Sequence, residues 1–126
     1  MKFTMKDQAF ETETAYGKLT VSGNEDYGFR PFQLMVSSIA VCSGGVLRKV
    51  MEKQRMTVHD IEIEADVERE PSEANRLTKI SIHYTIKGDN LSEARVEKAV
   101  HLASKNCPMA RTVEGSVEIK ETFTLV

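Results

Sequence analysis

From Pro31 to Leu47 the chain carries no charge for seventeen residues, with Arg30 and Arg48 closing the run at either end. Met35, Ile39, Cys42, Val46 and Val50 recur there at helical spacing, which predicts an apolar helix face that includes Cys42. Pro31 suits a first helical position, where its missing N–H costs nothing. Arg48, Lys49 and Lys53 gather at the other end, where cations meet the negative pole of the helix dipole. Seventeen residues is near the lower limit for spanning a bilayer, and Gln33, Ser37, Ser38, Ser43, Gly44 and Gly45 dilute the run. It therefore reads as a buried core helix and not as a membrane span. Ala40 and Gly44 stand four apart with Gly45 beside them, a small-residue surface that lets another backbone approach closely.

The rest of the chain reads mainly as strands. Residues 2–12 and 17–22 look like short strands with a turn near Tyr16-Gly17, and the segment Ser22–Gly28 is a loop rich in turn formers. Residues 57–70 alternate, with Ile61, Ile63, Ala65 and Val67 on one face and Glu62, Glu64, Asp66 and Glu68 on the other. Residues 77–87 alternate again through Ile80, Ile82, Tyr84 and Ile86. A second helix is predicted from Ser92 to Lys105, with Val96, Ala99, Val100 and Ala103 as its apolar stripe. Asn106-Cys107-Pro108 breaks it, and Pro108 opens a third helical turn capped by Asn106 or Cys107. A last strand covers 116–126, with Val117, Ile119, Phe123 and Leu125 on one face. Such an order predicts an α+β fold of one domain, residues 1–126, with an antiparallel sheet and segregated helices.

Composition narrows the function. A chain of 126 residues can bury a core without metal or disulfide staples. The net charge of -2 and pI near 5.9 argue against a nucleic-acid surface, which needs clustered positive charge. Two cysteines make neither a secreted disulfide framework nor a zinc site without histidine help. The N-terminus, MKFTMKDQAFETET, has no apolar core and does not read as a signal peptide. The expected location is cytoplasmic, where thiols stay reduced.

The candidate chemistry reduces to two thiols. A lone cysteine on an apolar helix face is most often a small core hydrophobe, and that is the plain reading of Cys42. Cys107 differs, because it precedes the proline of a helix start, whose amides favour a thiolate. Lys105 and Arg111 lie close in sequence and add positive potential. His59, His83 and His101 show no metal-ligand spacing with the cysteines. No phosphate loop, nucleophile elbow or HExxH motif occurs, so neither a metal nor a cofactor is expected.

Two segments carry a family resemblance. RPFQLMVSSIAVCSGG, from Arg30 to Gly45, resembles the central-helix motif of the OsmC/Ohr family, a proline followed eleven positions later by a cysteine. KNCPMARTVEGSVEI, from Lys105 to Ile119, resembles that family's second-cysteine segment. The resemblance implies an OsmC-like fold, an antiparallel sheet wrapped around a long central helix, assembled as an intertwined homodimer. Two active sites would lie at the interface, with Ala40, Gly44 and Gly45 suited to the contact between central helices. It also implies a thiol-dependent peroxidase, an antioxidant enzyme that reduces organic hydroperoxides and, in some members, hydrogen peroxide. Cys42 would be the peroxidatic thiol, Cys107 the resolving one, and an external dithiol of the lipoyl type the reductant. Arg30 is the candidate cation for the Cys42 thiolate, because a guanidinium stays charged when buried. The sequence departs from the family where a glutamate follows the proline and orients an arginine, since Phe32 and Gln33 stand there. The family arginine also comes from further upstream than Arg30, and Glu25 or Asp26 could replace the glutamate. Two rivals remain: a non-catalytic module that binds an apolar ligand at the interface, and a redox sensor.

Overall fold

The computed structural model describes all residues, Met1–Val126, which form two compact units, Met1–Ser37 and Ser38–Val126. The first holds a three-stranded antiparallel sheet of β1 (Thr4–Met5), β2 (Phe10–Glu13) and β3 (Lys18–Val21), in that order. The expected strand over 2–12 is thus two strands, because the Lys6 N–H donates to the Ala9 carbonyl at 2.8 Å and turns the chain. The loop after β3 closes on itself. Ser22 Oγ donates to the Gln8 carbonyl at 2.6 Å, and the Asp26 N–H donates to Asn24 Oδ1 at 3.0 Å.

Helix α1 (Pro31–Lys53) runs through the boundary between the units. By length and composition it is apolar enough to cross a membrane, yet Ile39, Ala40, Ser43, Gly44, Leu47 and Met51 form a buried stripe along it. The stripe lies beside the face expected from the sequence: Ile39 belongs to both, Cys42 and Val46 are half-buried, and Met35 is exposed. At its end the Arg95 guanidinium donates to the Gln54 carbonyl at 2.6 Å, satisfying one of the acceptors a helix terminus leaves open.

The second unit is built on a sheet ordered β4 (Thr57–Glu70), β5 (Arg76–Asp89), β6 (Glu118–Leu125). β4 and β5 form a long antiparallel hairpin through the 3-10 turn Pro71–Glu73, where the Glu70 carboxylate accepts from the Ser72 N–H. Those hydrogen bonds from Ser72 hold the Glu70 carboxyl below its usual range. Between β5 and β6 come α2 (Glu93–Asn106) and α3 (Pro108–Val113). Ser92 caps α2 by accepting from the Arg95 N–H, and Val96, Ala99, Val100 and Ala103 are its buried face, as the periodicity predicts.

One pairing differs from the all-antiparallel expectation: β5 and β6 run parallel. The helices between them carry the chain back along the sheet, and a crossover of this kind sets the next strand parallel to the last. Ile80, Ile82, Tyr84 and Ile86 of β5 are buried to 1% exposure or less on one face of the sheet. The other face is polar, with Glu64, His83 and Thr122 aligned across the three strands.

Candidate functional site

Cys42 and Cys107 meet inside the second unit. Cys42 rides half-buried on α1, while Cys107 is fully buried in the joint between α2 and α3. That joint exists because Pro108 cannot continue α2: it lacks an N–H to donate, and the residue before it is pushed to extended backbone. Cys107 accordingly has φ -79° and ψ 112°, ends α2 and caps α3. Its Sγ accepts from the Ala110 N–H at 3.4 Å. Both cysteines are free thiols, close enough to hydrogen-bond each other.

Opposing influences act on Cys42. Burial pushes its thiol above the usual value, and the neighbouring Cys107 pushes the same way through its hydrogen bond and charge. The backbone of Met109, in the first turn of α3, hydrogen-bonds the Cys42 sulfur and pulls the value down. Amides at a short helix start thus face the sulfur that would carry negative charge. No guanidinium is among the groups that move it.

Beside the thiols lies a polar group that periodicity alone did not single out. Tyr84 on β5 is fully buried, and its hydroxyl donates to Glu121 Oε1 at 2.7 Å. Burial, and then the Glu121 carboxylate, raise the phenol far above its usual value. Ser43, next to Cys42 on α1, is also fully buried and faces the phenol, yet its hydroxyl makes no hydrogen bond of ordinary geometry. The overlooked signal was in the last strand. Ile119, Phe123 and Leu125 alternate inward, and the inward position between Ile119 and Phe123 is Glu121.

Arg30 stands just before α1 in the first unit, half-exposed, with its guanidinium 4.7 Å from the centre of the Phe32 ring. This is a cation–π contact, and Phe32 is one of the two residues that replace the family glutamate. The histidines are engaged elsewhere. His59 pairs with Asp89 at 2.9 Å, and His83 lies 2.6 Å from Thr122 Oγ1 and 3.0 Å from Thr124 Oγ1. No three His, Cys, Asp or Glu side chains gather in a group that could hold a metal ion.

Ala40 and Gly44 turn out to serve the chain's own packing. A Cβ on Gly44 would collide with Ile63 and lie 3.8 Å from the Tyr84 ring, so the missing side chain is what lets the sheet approach α1. Gly45 has nothing within 4 Å of its Cβ position, and Val41 beside it is 67% exposed. The outward small surface is therefore Gly45 with Val41, not the whole set expected.

A two-sheet α+β fold that sets a cysteine of a long core helix against a Cys-Pro helix start defines a class of two-thiol proteins. The chain belongs to the OsmC/Ohr family: the family model of the OsmC-like proteins matches residues 23–122. Protein YhfA of Escherichia coli is 29% identical over 120 residues, covering 93% of this chain and 90% of that one. Organic hydroperoxide resistance protein OhrA of Bacillus subtilis is 24% identical over 118 residues, covering 94% and 83%. Among solved structures, one from Aquifex aeolicus superposes with a TM-score of 0.88 at 25% identity, covering 99% of this chain and 93% of that one. An OsmC-like protein from Mycoplasma pneumoniae has the same fold, with a TM-score of 0.82 at 21% identity and coverage of 94% and 89%.

Proposed function

We propose that the protein is a thiol-dependent peroxidase for organic hydroperoxides, working as a cytoplasmic homodimer with a dithiol of the lipoyl type as reductant. The juxtaposition of Cys42 with Cys107 carries this reading, and similarity to a hydroperoxide resistance protein supports it. The Cys42 thiolate attacks the O–O bond, takes one oxygen to become a sulfenic acid, and releases an alkoxide that picks up a proton. Cys107 then attacks the Cys42 sulfur, a disulfide forms, and hydroxide leaves as water. Two thiols of the external dithiol reduce the disulfide by exchange and are themselves oxidised. The apolar surroundings of Cys42 suit an organic peroxide.

Residues 1–126 act in this reading as one domain, in keeping with a family match that crosses the boundary at Ser37. Arg30 serves as the cation for the thiolate of a second copy. From Arg30 to Cys42 is twelve positions, an α-helical rise of about 18 Å and beyond an arginine's reach along its own helix, so this role requires the pairing to be made across the dimer. One alternative uses the same meeting of thiols, a redox sensor in which the Cys42–Cys107 disulfide alters a partner contact.

Mass spectrometry after one equivalent of organic hydroperoxide, with peroxide consumption measured on a lipoyl dithiol, tests the proposal. Wild type should lose both thiols to one internal disulfide. Cys42→Ser should consume no peroxide, because serine forms no sulfenic acid. Cys107→Ser should turn over once and stall with a trappable sulfenic acid. Full activity in Cys42→Ser would overturn the proposal, and a disulfide formed without sustained consumption would select the sensor.

A further inference from the structure

Both cysteines hold the first turn of α3. Pro108 has no N–H to satisfy, and the Ala110 N–H donates to Cys107 Sγ at 3.4 Å. The Arg111 N–H donates to the Cys107 carbonyl at 3.0 Å, and the Met109 backbone meets the Cys42 sulfur. Little else fastens the helix. It is six residues long, and Ala110 is the one buried residue among them. Helices this short do not persist on propensity alone. The chain leaves its far end through Gly115 at φ 87°, a conformation glycine adopts without strain. A short helix thus closes over Cys107, which has no exposed surface, and its fastening is the sulfur that reacts.

We propose that α3 is a redox-gated lid, fastened by the Cys107 cap while the thiols are reduced and released by the Cys42–Cys107 disulfide, so that an external dithiol can reach the Cys107 sulfur. The inference rests on the two-thiol cycle proposed above. In that cycle the Cys107 sulfur bonds to the Cys42 sulfenic acid, and the hydroxide that leaves takes the Cys107 proton as water. An S–S bond is about 2.05 Å long, well inside hydrogen-bonding distance, so one sulfur must leave its present place. Cys42 lies midway along α1, a helix of 23 residues with a buried stripe. Cys107 lies in the extended joint between two helices, one of them short. The Cys107 sulfur is therefore the one that swings, and the Ala110 N–H loses its acceptor. An uncapped short helix frays from its first turn. Exchange with the dithiol returns two hydrogens to the protein and oxidises the reductant. The restored thiol then caps α3 again, and the lid shuts the resolving sulfur away from further oxidant.

Amide hydrogen exchange followed by NMR reads the lid directly. The disulfide is made with diamide, which takes the two thiol hydrogens to become a hydrazine, so no peroxide is needed. In wild type the Ala110 amide should exchange about tenfold faster in the disulfide form, the order of effect of a lost N-cap. The amide of Ala103, buried in α2, should not change. Cys107→Ser keeps an acceptor at the cap and cannot form the disulfide, so Ala110 should exchange slowly with or without diamide. In Cys107→Ala it should exchange fast in both conditions. Acid-quenched reaction of the wild-type disulfide with glutathione reads access, and mass spectrometry should find adduct on Cys107 as well as on Cys42. Equal exchange of Ala110 in the two wild-type forms overturns the lid. So does equal speeding at Ala103, slow exchange in Cys107→Ala, or fast exchange in diamide-treated Cys107→Ser. Adduct on Cys42 alone overturns the role in access. Failure of diamide to join the cysteines would sink the lid and the two-thiol cycle together. Failure of hydroperoxide to oxidise Cys42, with Ala110 still freed by diamide, would instead reject the peroxidase reading and keep the lid.

Discussion

The Cys42 sulfur is pulled both ways, and the balance can be read by alkylation. Burial and Cys107 raise the thiol, while the Met109 backbone lowers it. Only the thiolate reacts with iodoacetamide, so the labelling-versus-pH curve of Cys42 should lie above that of a free cysteine. The variants should move it in opposite directions. Cys107→Ala removes a hydrogen bond and a charge that both favour the protonated thiol, so the curve should fall to lower pH. Arg30→Ala removes the cation assigned to the thiolate, so the curve should rise. Arg30→Lys should restore little, because lysine lacks the planar fork. A curve unmoved in Arg30→Ala would assign that task to another residue.

At the scale of elements, glycines one residue apart on α1 should behave as opposites. Gly45→Ala meets nothing within 4 Å in its own chain, so one copy gains the helix propensity that glycine forfeits, about 0.5–1 kcal/mol, and a lowered melting temperature would instead mark Gly45 as the contact between central helices of two copies. Gly44→Val drives a branched side chain into Ile63 and the Tyr84 ring, so it should lose about 1–3 kcal/mol by overpacking. Thermal melts of the two variants check both signs. The same elements show what a sequence discloses. Strand β4 and the α2 stripe were legible because period 2 and period 3.6 are strict there, and β4 keeps its predicted bounds of 57–70. The parallel register of β6 was not legible, since alternation reports which face a residue takes but not which way its neighbour runs. The thiols were visible as residue types with recognisable flanks. Their meeting, and the Tyr84–Glu121 bond, depend on pairings between segments 65 and 37 positions apart in the chain, which local pattern cannot supply. Only the outlying acid at position 121 of an otherwise apolar inward row marked the place.

For the whole molecule, exposed apolar surface is the guide. Phe3, Phe10, Phe29 and Val41 are each at least half-exposed, and on β4 Ala65, which alternation directs inward, is exposed as well. A chain that leaves this much apolar surface in water is expected to cover it with another copy. Light scattering at micromolar concentration should give a dimer, and dilution should unfold the protein as it dissociates. A stable folded monomer would refute the intertwined assembly and, with it, the role given to Arg30. The crossover that makes β6 parallel also orders events in time. A parallel strand cannot zip up from a tight turn; it must wait until the chain between has closed a long loop, which is slow because the entropy is lost before the contacts repay it. Cys107 sits inside that intervening chain. A nascent molecule therefore carries its first cysteine well before the second is delivered beside it, and an oxidant met during that interval would find an unguarded thiol.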